Sequence, residues 1–234
     1  MAKYDFSIII PTRYNVEGLK VTLNAFETFT KQKDKLEVVL VVDSDDEEIT
    51  KYQDLLSKYR FTLRLLHVKH SDHFCRDYYN AGVDVSEGAN VMCFNDDCYM
   101  QINAWDDKIR EAIARNYHFK DIYLVDLFDS THEDDNQSFP RFPMLSRKVV
   151  DLFGFFFYPQ VRMWPADRVL FSIFQSVGNV INCHHVTMQH DHVYEKDVSK
   201  TRMWRIFNED KASGVFPVDV NPEIKKLKDA ICYG

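Results

Sequence analysis

The run "LEVVLVV" at residues 36–42 constrains this chain more than any other stretch. It carries a single charge and four valines, so it has no polar face to offer water. Such a run is the pattern of a strand covered on both sides, as in a parallel sheet flanked by helices. Three further runs repeat it: "FSIII" (6–10), halted by Pro11, then "TLRLLHV" (62–68) and "NVMCF" (90–94). Between them lie segments of helical period. Residues 16–31 put Leu19, Leu23, Phe26 and Thr30 at helical spacing, and 47–59 and 75–86 each suit a helix. Alternation of strand and helix up to residue 94 predicts an α/β fold, with a mostly parallel central sheet and helices on both faces.

The second half reads differently. A helix at 105–116 and a strand at 122–128 precede a polar loop, "DSTHEDDNQS", and a mixed segment through residue 159. A helix near 165–177 and a strand near 179–188 follow, and the pattern weakens beyond about 195. No linker divides the chain, so residues 1–234 are expected to form a single domain with a smaller mixed portion.

Composition narrows the function classes. A chain of 234 residues, 45% hydrophobic, can bury a substantial core. Its net charge of −7 gives no overall attraction to nucleic-acid backbones or anionic membranes. No window approaches the roughly 18 apolar residues of a membrane span. The opening "MAKYDFSIII" has too short an apolar run for a signal peptide. Cys75, Cys93, Cys98, Cys183 and Cys232 form no CxxC pair, which suits a reducing compartment. The expected location is cytoplasmic.

Parallel α/β sheets collect ligands at the carboxyl ends of their strands. Here the first strand ends in "PTRYN" (11–15), the second in "DSDD" (43–46) and the fourth in "NDD" (95–97). Carboxylates converging on one edge repel one another unless a cation neutralises them. Mg²⁺ and Mn²⁺ favour carboxylates together with phosphate oxygens, so the pattern predicts a divalent ion carrying a phosphorylated ligand.

These residues also carry a resemblance. "SIIIPTRYN", "VVLVVDSDDEEIT" and "RDYYNAGVDVSEGANVMCFNDDCY" occur in the order seen in nucleotide-sugar-dependent glycosyltransferases of the A-type fold, family 2 in particular. The chain resembles that group from residue 5 to about 195. The resemblance implies a single Rossmann-like domain with a nucleotide-binding half to about 100, an acceptor-side half at about 101–195 and a C-terminal extension from about 196. It implies that Pro11, Thr12 and Arg13 line the nucleotide pocket, that Asp43 meets the base, and that Arg76 and Asn80 border the nucleotide. The metal motif falls on Asn95, Asp96 and Asp97, with Asn95 where the family has an aspartate. Asp97 is then the expected ligand of Mn²⁺ or Mg²⁺, and Asp96 the contact to ribose or metal-bound water.

Glycosyl transfer needs a group to take the acceptor's proton, and by resemblance Asp167 in "WPADRVLFSIF" is that base. His190 and His192 alternate around Asp191 and are candidates to complete the metal site. Trp105 and Trp164 are candidates for stacking on an acceptor. The segment "SKTRMWRIFNEDK", with Lys200, Arg202, Arg205 and Trp204, reads as an amphipathic helix docked on the core, or as a lid over a diphosphate. The expected reaction moves a sugar from a nucleoside-diphosphate sugar, a uridine diphosphate sugar first among them, to a hydroxyl acceptor, with inversion. That acceptor could be a glycan, a protein, a metabolite or a modified DNA base. Two rivals stand beside it. A sugar nucleotidyltransferase would carry a Gly-rich loop that "PTRYNVEG" lacks. A degenerate nucleotide-sugar-binding domain is the reading that Asn95 keeps open.

Overall fold

In the computed structural model, which describes residues 2–132, 138–191 and 202–233, four parallel strands form one half of an eight-stranded sheet. They are β1 (Tyr4–Thr12), β2 (Leu36–Asp43), β3 (Thr62–Val68) and β4 (Gly88–Cys93). Ile8 of β1 lies opposite Val38 on one side and Met92 on the other. All eight residues of β2 are buried, as its unbroken apolar run requires. The charge inside its apolar run, Glu37, accepts hydrogen bonds from Ser7 Oγ at 2.6 Å, the Glu87 N–H at 2.9 Å and Arg64 at 2.8 Å. A buried carboxylate is tolerable only when its oxygens are taken up in this way.

The other half of the sheet is mixed. β7 (Met144–Ser146) runs antiparallel to β4 and to β6 (Leu124–Asp129). β8 (Val180–His190) is parallel to β6, and short β5 (Cys98–Met100) closes the edge antiparallel to β8. The order is β3-β2-β1-β4-β7-β6-β8-β5.

Alternate side chains of each strand point to opposite faces, so the sheet carries two cores. Phe6, Ile8, Ile10, Val38, Leu40 and Val42 pack beneath α1 (Val16–Phe29) and α4 (Trp105–Arg115). Ile9, Val39 and Val41 face a second layer. That layer comprises a π-wound turn (Cys75–Asn80) running into α3 (Ala81–Asp84), with α5 (Arg147–Phe153) and α6 (Ala166–Val177). The 47–59 segment is helical only over α2 (Ile49–Gln53), yet Leu55 beyond it still reaches the core. The weakly patterned tail holds two helices, α7 (Arg202–Ala212) and α8 (Asn221–Tyr233). No helix among the described residues is long and apolar enough to cross a membrane.

Trp105 is corrected by this packing. It is wholly buried, its indole N–H donates to Thr30 Oγ1 at 2.9 Å, and its ring lies 5.3 Å from Phe6 and 5.9 Å from Phe26. It is a core residue of α4 and presents nothing to an acceptor.

Candidate active site

The carboxyl ends of β1, β2 and β4 lie side by side, and the acidic segments converge there. Thr12, the last residue of β1, donates through Oγ1 to Asp96 Oδ2 at 2.6 Å, and Thr22 on α1 donates to the Asp96 carbonyl at 3.0 Å. Burial pushes the Asp96 carboxyl up to about 6, more than the Thr12 and Asn15 hydrogen bonds bring it down. Asp97 follows at the start of the turn into β5. Pairing of Cys98 with His190 across β5 and β8 sets His190 Nε2 3.1 Å from Asp97 Oδ1. The His190 backbone is fixed from behind. Its N–H donates to Thr131 Oγ1 at 2.7 Å, and that hydroxyl donates to the His190 carbonyl at 3.0 Å.

Asp97, Cys98 and His190 bring their ligand atoms within 4.8 Å of one another. Burial drives the Cys98 thiol well above its ordinary range, and sulfur is a poor match for a hard cation. A carboxylate oxygen and an imidazole nitrogen remain, a donor pair that fits Mn²⁺ and leaves positions for phosphate or water. Asn95 does not join them. Its carbonyl oxygen accepts from Tyr79 Oη at 2.6 Å, and its amide nitrogen lies 3.4 Å from His190 Nε2. Asn95 therefore lies against the imidazole nitrogen that faces Asp97. His192 and Lys200 lie outside the described residues.

The second corner of the site surrounds Asp43. Its carboxylate accepts from Tyr78 Oη and Arg13, and lies 2.7 Å from His70 Nδ1. Burial alone would raise this carboxyl, but Tyr78, His70 and Arg13 together hold it below its ordinary range. With 1% of its side chain exposed, Asp43 organises this corner, and Arg13 and His70 are the groups turned outward. Arg76 is clamped on Asp77 at 2.6 and 3.0 Å, on the wall of a 540 Å³ hollow shared with Lys69, His70 and Ser71.

Asn80 departs from its expected place at the nucleotide. It is buried, accepts from the Phe156 and Phe157 N–H groups at 3.0 and 2.9 Å, and donates to the Phe157 carbonyl at 2.7 Å. It ties the β4-side turn to the 154–158 loop. Asn80→Ala strands three buried backbone groups, for an expected loss of about 2–4 kcal/mol. The measurement is a thermal melt. At about 2–4 °C per kcal/mol for a chain of this size, an unchanged midpoint contradicts the clamp.

Asp167 stands on the first turn of α6, where Oδ1 accepts its neighbour's backbone N–H at 2.8 Å. Burial pushes its carboxyl up to about 6. It lines a cavity of about 510 Å³ together with Pro11, Asp96, Asp97, His190 and Trp164. The catalytic and metal candidates therefore share one chamber, about 70 residues apart in sequence. α7 docks beside the mouth. Arg202 and Arg205 hold Asp72 at 2.8 and 3.1 Å, Arg162 pairs with the buried Asp210, and Trp164 packs 4.4 Å from Phe207. This is the docked amphipathic helix, with its two arginines engaged by protein. Sequence reasoning missed Tyr79 and the Asp129–Thr131 corner. Asp129 closes β6, so the rule that picked out the other strand ends applied to it as well.

S. aureus TarS in complex with UDP superposes with a TM-score of 0.61 at 13% identity, over 97% of this chain and 70% of that one. The fold is that of the A-type glycosyltransferases. Mannosyltransferase PcManGT from Pyrobaculum calidifontis, in complex with GDP-Man and Mn²⁺, gives 0.60 at 13% identity over 96% and 69%. GalNAc-T7 with UDP, GalNAc and Mn²⁺ gives 0.69 at 11% identity, over 97% of this chain and 54% of that chain. The chain spans 43% of the longer TarS structure. No family model and no curated protein matches the sequence. At these identities the A-type fold is shared across very different side chains.

Proposed function

We propose that this chain is a metal-dependent glycosyltransferase that moves a sugar from a nucleoside-diphosphate sugar to a hydroxyl acceptor with inversion. The observation that carries the reading is one cavity lined by Asp167, Asp97 and His190 together. Asp97 and His190 would hold the ion, which when bound supplies Lewis-acid support to the departing diphosphate. Thr12 and Asp96 line the nucleotide side, and Arg13 and His70 offer donors to base or ribose. Asp167 takes the acceptor's proton as the acceptor oxygen bonds to the anomeric carbon and the bond to the diphosphate oxygen breaks. Trp164 lies on the acceptor wall. Structures of the same fold hold UDP, UDP-GlcNAc or GDP-Man, which supports a diphosphate donor.

Calorimetry with UDP, GDP, dTDP, CDP and CMP, each with Mn²⁺ and with chelator, tests the reading. The expected result is metal-dependent binding of one diphosphate, UDP first among them, and release of that diphosphate from its sugar donor. Binding without turnover of any sugar donor would favour the degenerate binding domain, with Asn95 its cause. Binding of no nucleotide by the folded chain would defeat both readings.

A further inference from the structure

Arg168 follows Asp167 on the first turn of α6 and is exposed. Its guanidinium carbon stands 4.4 Å from the centre of the Phe139 ring and 5.7 Å from that of Trp164. Both rings are walls of the cavity that contains Asp167. Neighbouring arginines are spent on carboxylates: Arg141 on Asp129, Arg162 on Asp210 and Glu209, Arg202 and Arg205 on Asp72. Among the described residues, the Arg168 side chain has no hydrogen bond and no ion pair. Asp167 Oδ1 accepts the backbone N–H of Arg168, and against the burial that raises the Asp167 carboxyl, the Arg168 charge lowers it without an ion-pair contact.

A guanidinium stacked on aromatic rings has its faces occupied while its N–H donors, which lie in the plane, stay free. Those donors match two oxygens of one phosphate or carboxylate. The position favours the acceptor over the donor diphosphate, because Arg168 is the next residue after Asp167, the group proposed to meet the acceptor's hydroxyl.

We propose that Arg168 recognises an oxyanion carried by the acceptor, so that the substrate is a hydroxyl compound with a phosphate or carboxylate near the reacting hydroxyl. The inference rests on the glycosyltransferase reading. Stacking sets the guanidinium beside two rings that line the cavity, Phe139 and Trp164, and Asp167, one residue earlier, meets the hydroxyl.

The test is calorimetric titration of the full chain, first saturated with UDP and Mn²⁺ so that the donor's phosphate positions are filled. The probes are sn-glycerol 3-phosphate, glycerate and neutral glycerol. A charge-assisted pair predicts that one or both anionic probes bind about ten- to a hundredfold more tightly than glycerol. Preference for the phosphate or the carboxylate probe identifies the group. R168Q is expected to erase the preference, and R168K, which keeps the charge without the fork, to restore part of it. Equal affinity for charged and neutral probes in a chain that binds UDP overturns the inference and leaves the donor reading intact. An R168Q chain that keeps the full anion preference also overturns it. So does an R168Q chain whose affinity for UDP falls by the same factor, which would assign Arg168 to the diphosphate. With no UDP bound at all, the donor reading falls and this inference falls with it.

Discussion

Asp167→Asn is expected to lower turnover by about 10²–10⁴-fold and, at neutral pH, to raise the melting temperature. The rate effect follows from the proposed role of Asp167 as the base, the one carboxylate among the described lining residues outside the Asp96–Asp97 pair. Turnover can be read as diphosphate release to water, so no acceptor need be known. The stability effect has its own sign. Burial holds the folded carboxyl at about 6, above an unfolded value of about 3.9. Between those values the folded state binds more protons than the unfolded one, so stability falls as pH rises. The penalty is absent below about pH 4 and complete above about pH 6. A shift of two units is worth nearly 3 kcal/mol for a fully desolvated group. Partial solvent contact reduces this to about 1–2 kcal/mol, or a few degrees. Asparagine keeps the shape and drops the charge, so the two proteins should melt together near pH 4 and diverge by pH 7. A slower but more stable variant cannot be slow through misfolding. In the wild type, turnover should climb with pH through about 6 as the base loses its proton. Asp96 carries a similar shift, so any limb that survives in the variant belongs to Asp96. Turnover unchanged by the substitution would remove Asp167 from the mechanism.

The features legible in the sequence were those set by local composition. The valine run of β2 announced a strand buried on both faces, and acids after β1, β2 and β4 announced a polar edge. Trp105 could also have been placed correctly. With Ile109 and Ala112 it makes an i, i+4, i+7 stripe on α4, and that stripe is the side turned to Phe6 and Phe26. An aromatic beside a metal motif drew attention away from its own helical period. Asn80 gave no such warning, because the backbone groups it satisfies lie 76 and 77 residues away. The contact of Tyr79 with Asn95, 16 residues on, was also hidden, because it depends on a π-wound turn that no periodicity encodes. His190 was picked out as a partner for the metal site, and the register of β5 against β8 is what brings it to Asp97. The sequence offered a docked helix or a lid for the segment with Arg202 and Arg205, and Asp72, which engages both arginines, is about 130 residues earlier.

Asp97→Ala is expected to abolish metal-dependent nucleotide binding, and its comparison with Asn95→Ala ranks two residues of the motif. In the structure Asp97 Oδ1 and His190 Nε2 are 3.1 Å apart, close enough to share one ion, whereas Asn95 is turned to Tyr79 and to the imidazole. Asn95 Nδ2 approaches the same His190 Nε2 that would take the ion, so it can only compete for that lone pair. Asn95→Ala should therefore leave Mn²⁺ affinity nearly unchanged, and Asp97→Ala should lower it sharply, since a charged ligand is lost outright. Titration of Mn²⁺ followed by electron paramagnetic resonance of the free ion reads both without any turnover. Asp97 is partly exposed and bonds mainly at the site, so the folded chain should survive its loss, which a melt would check. If Asn95→Ala proved the more damaging of the two, the amide would be the ligand and Asp97 the brace. Such a result would restore the metal role to the first position of the motif, despite its missing carboxylate.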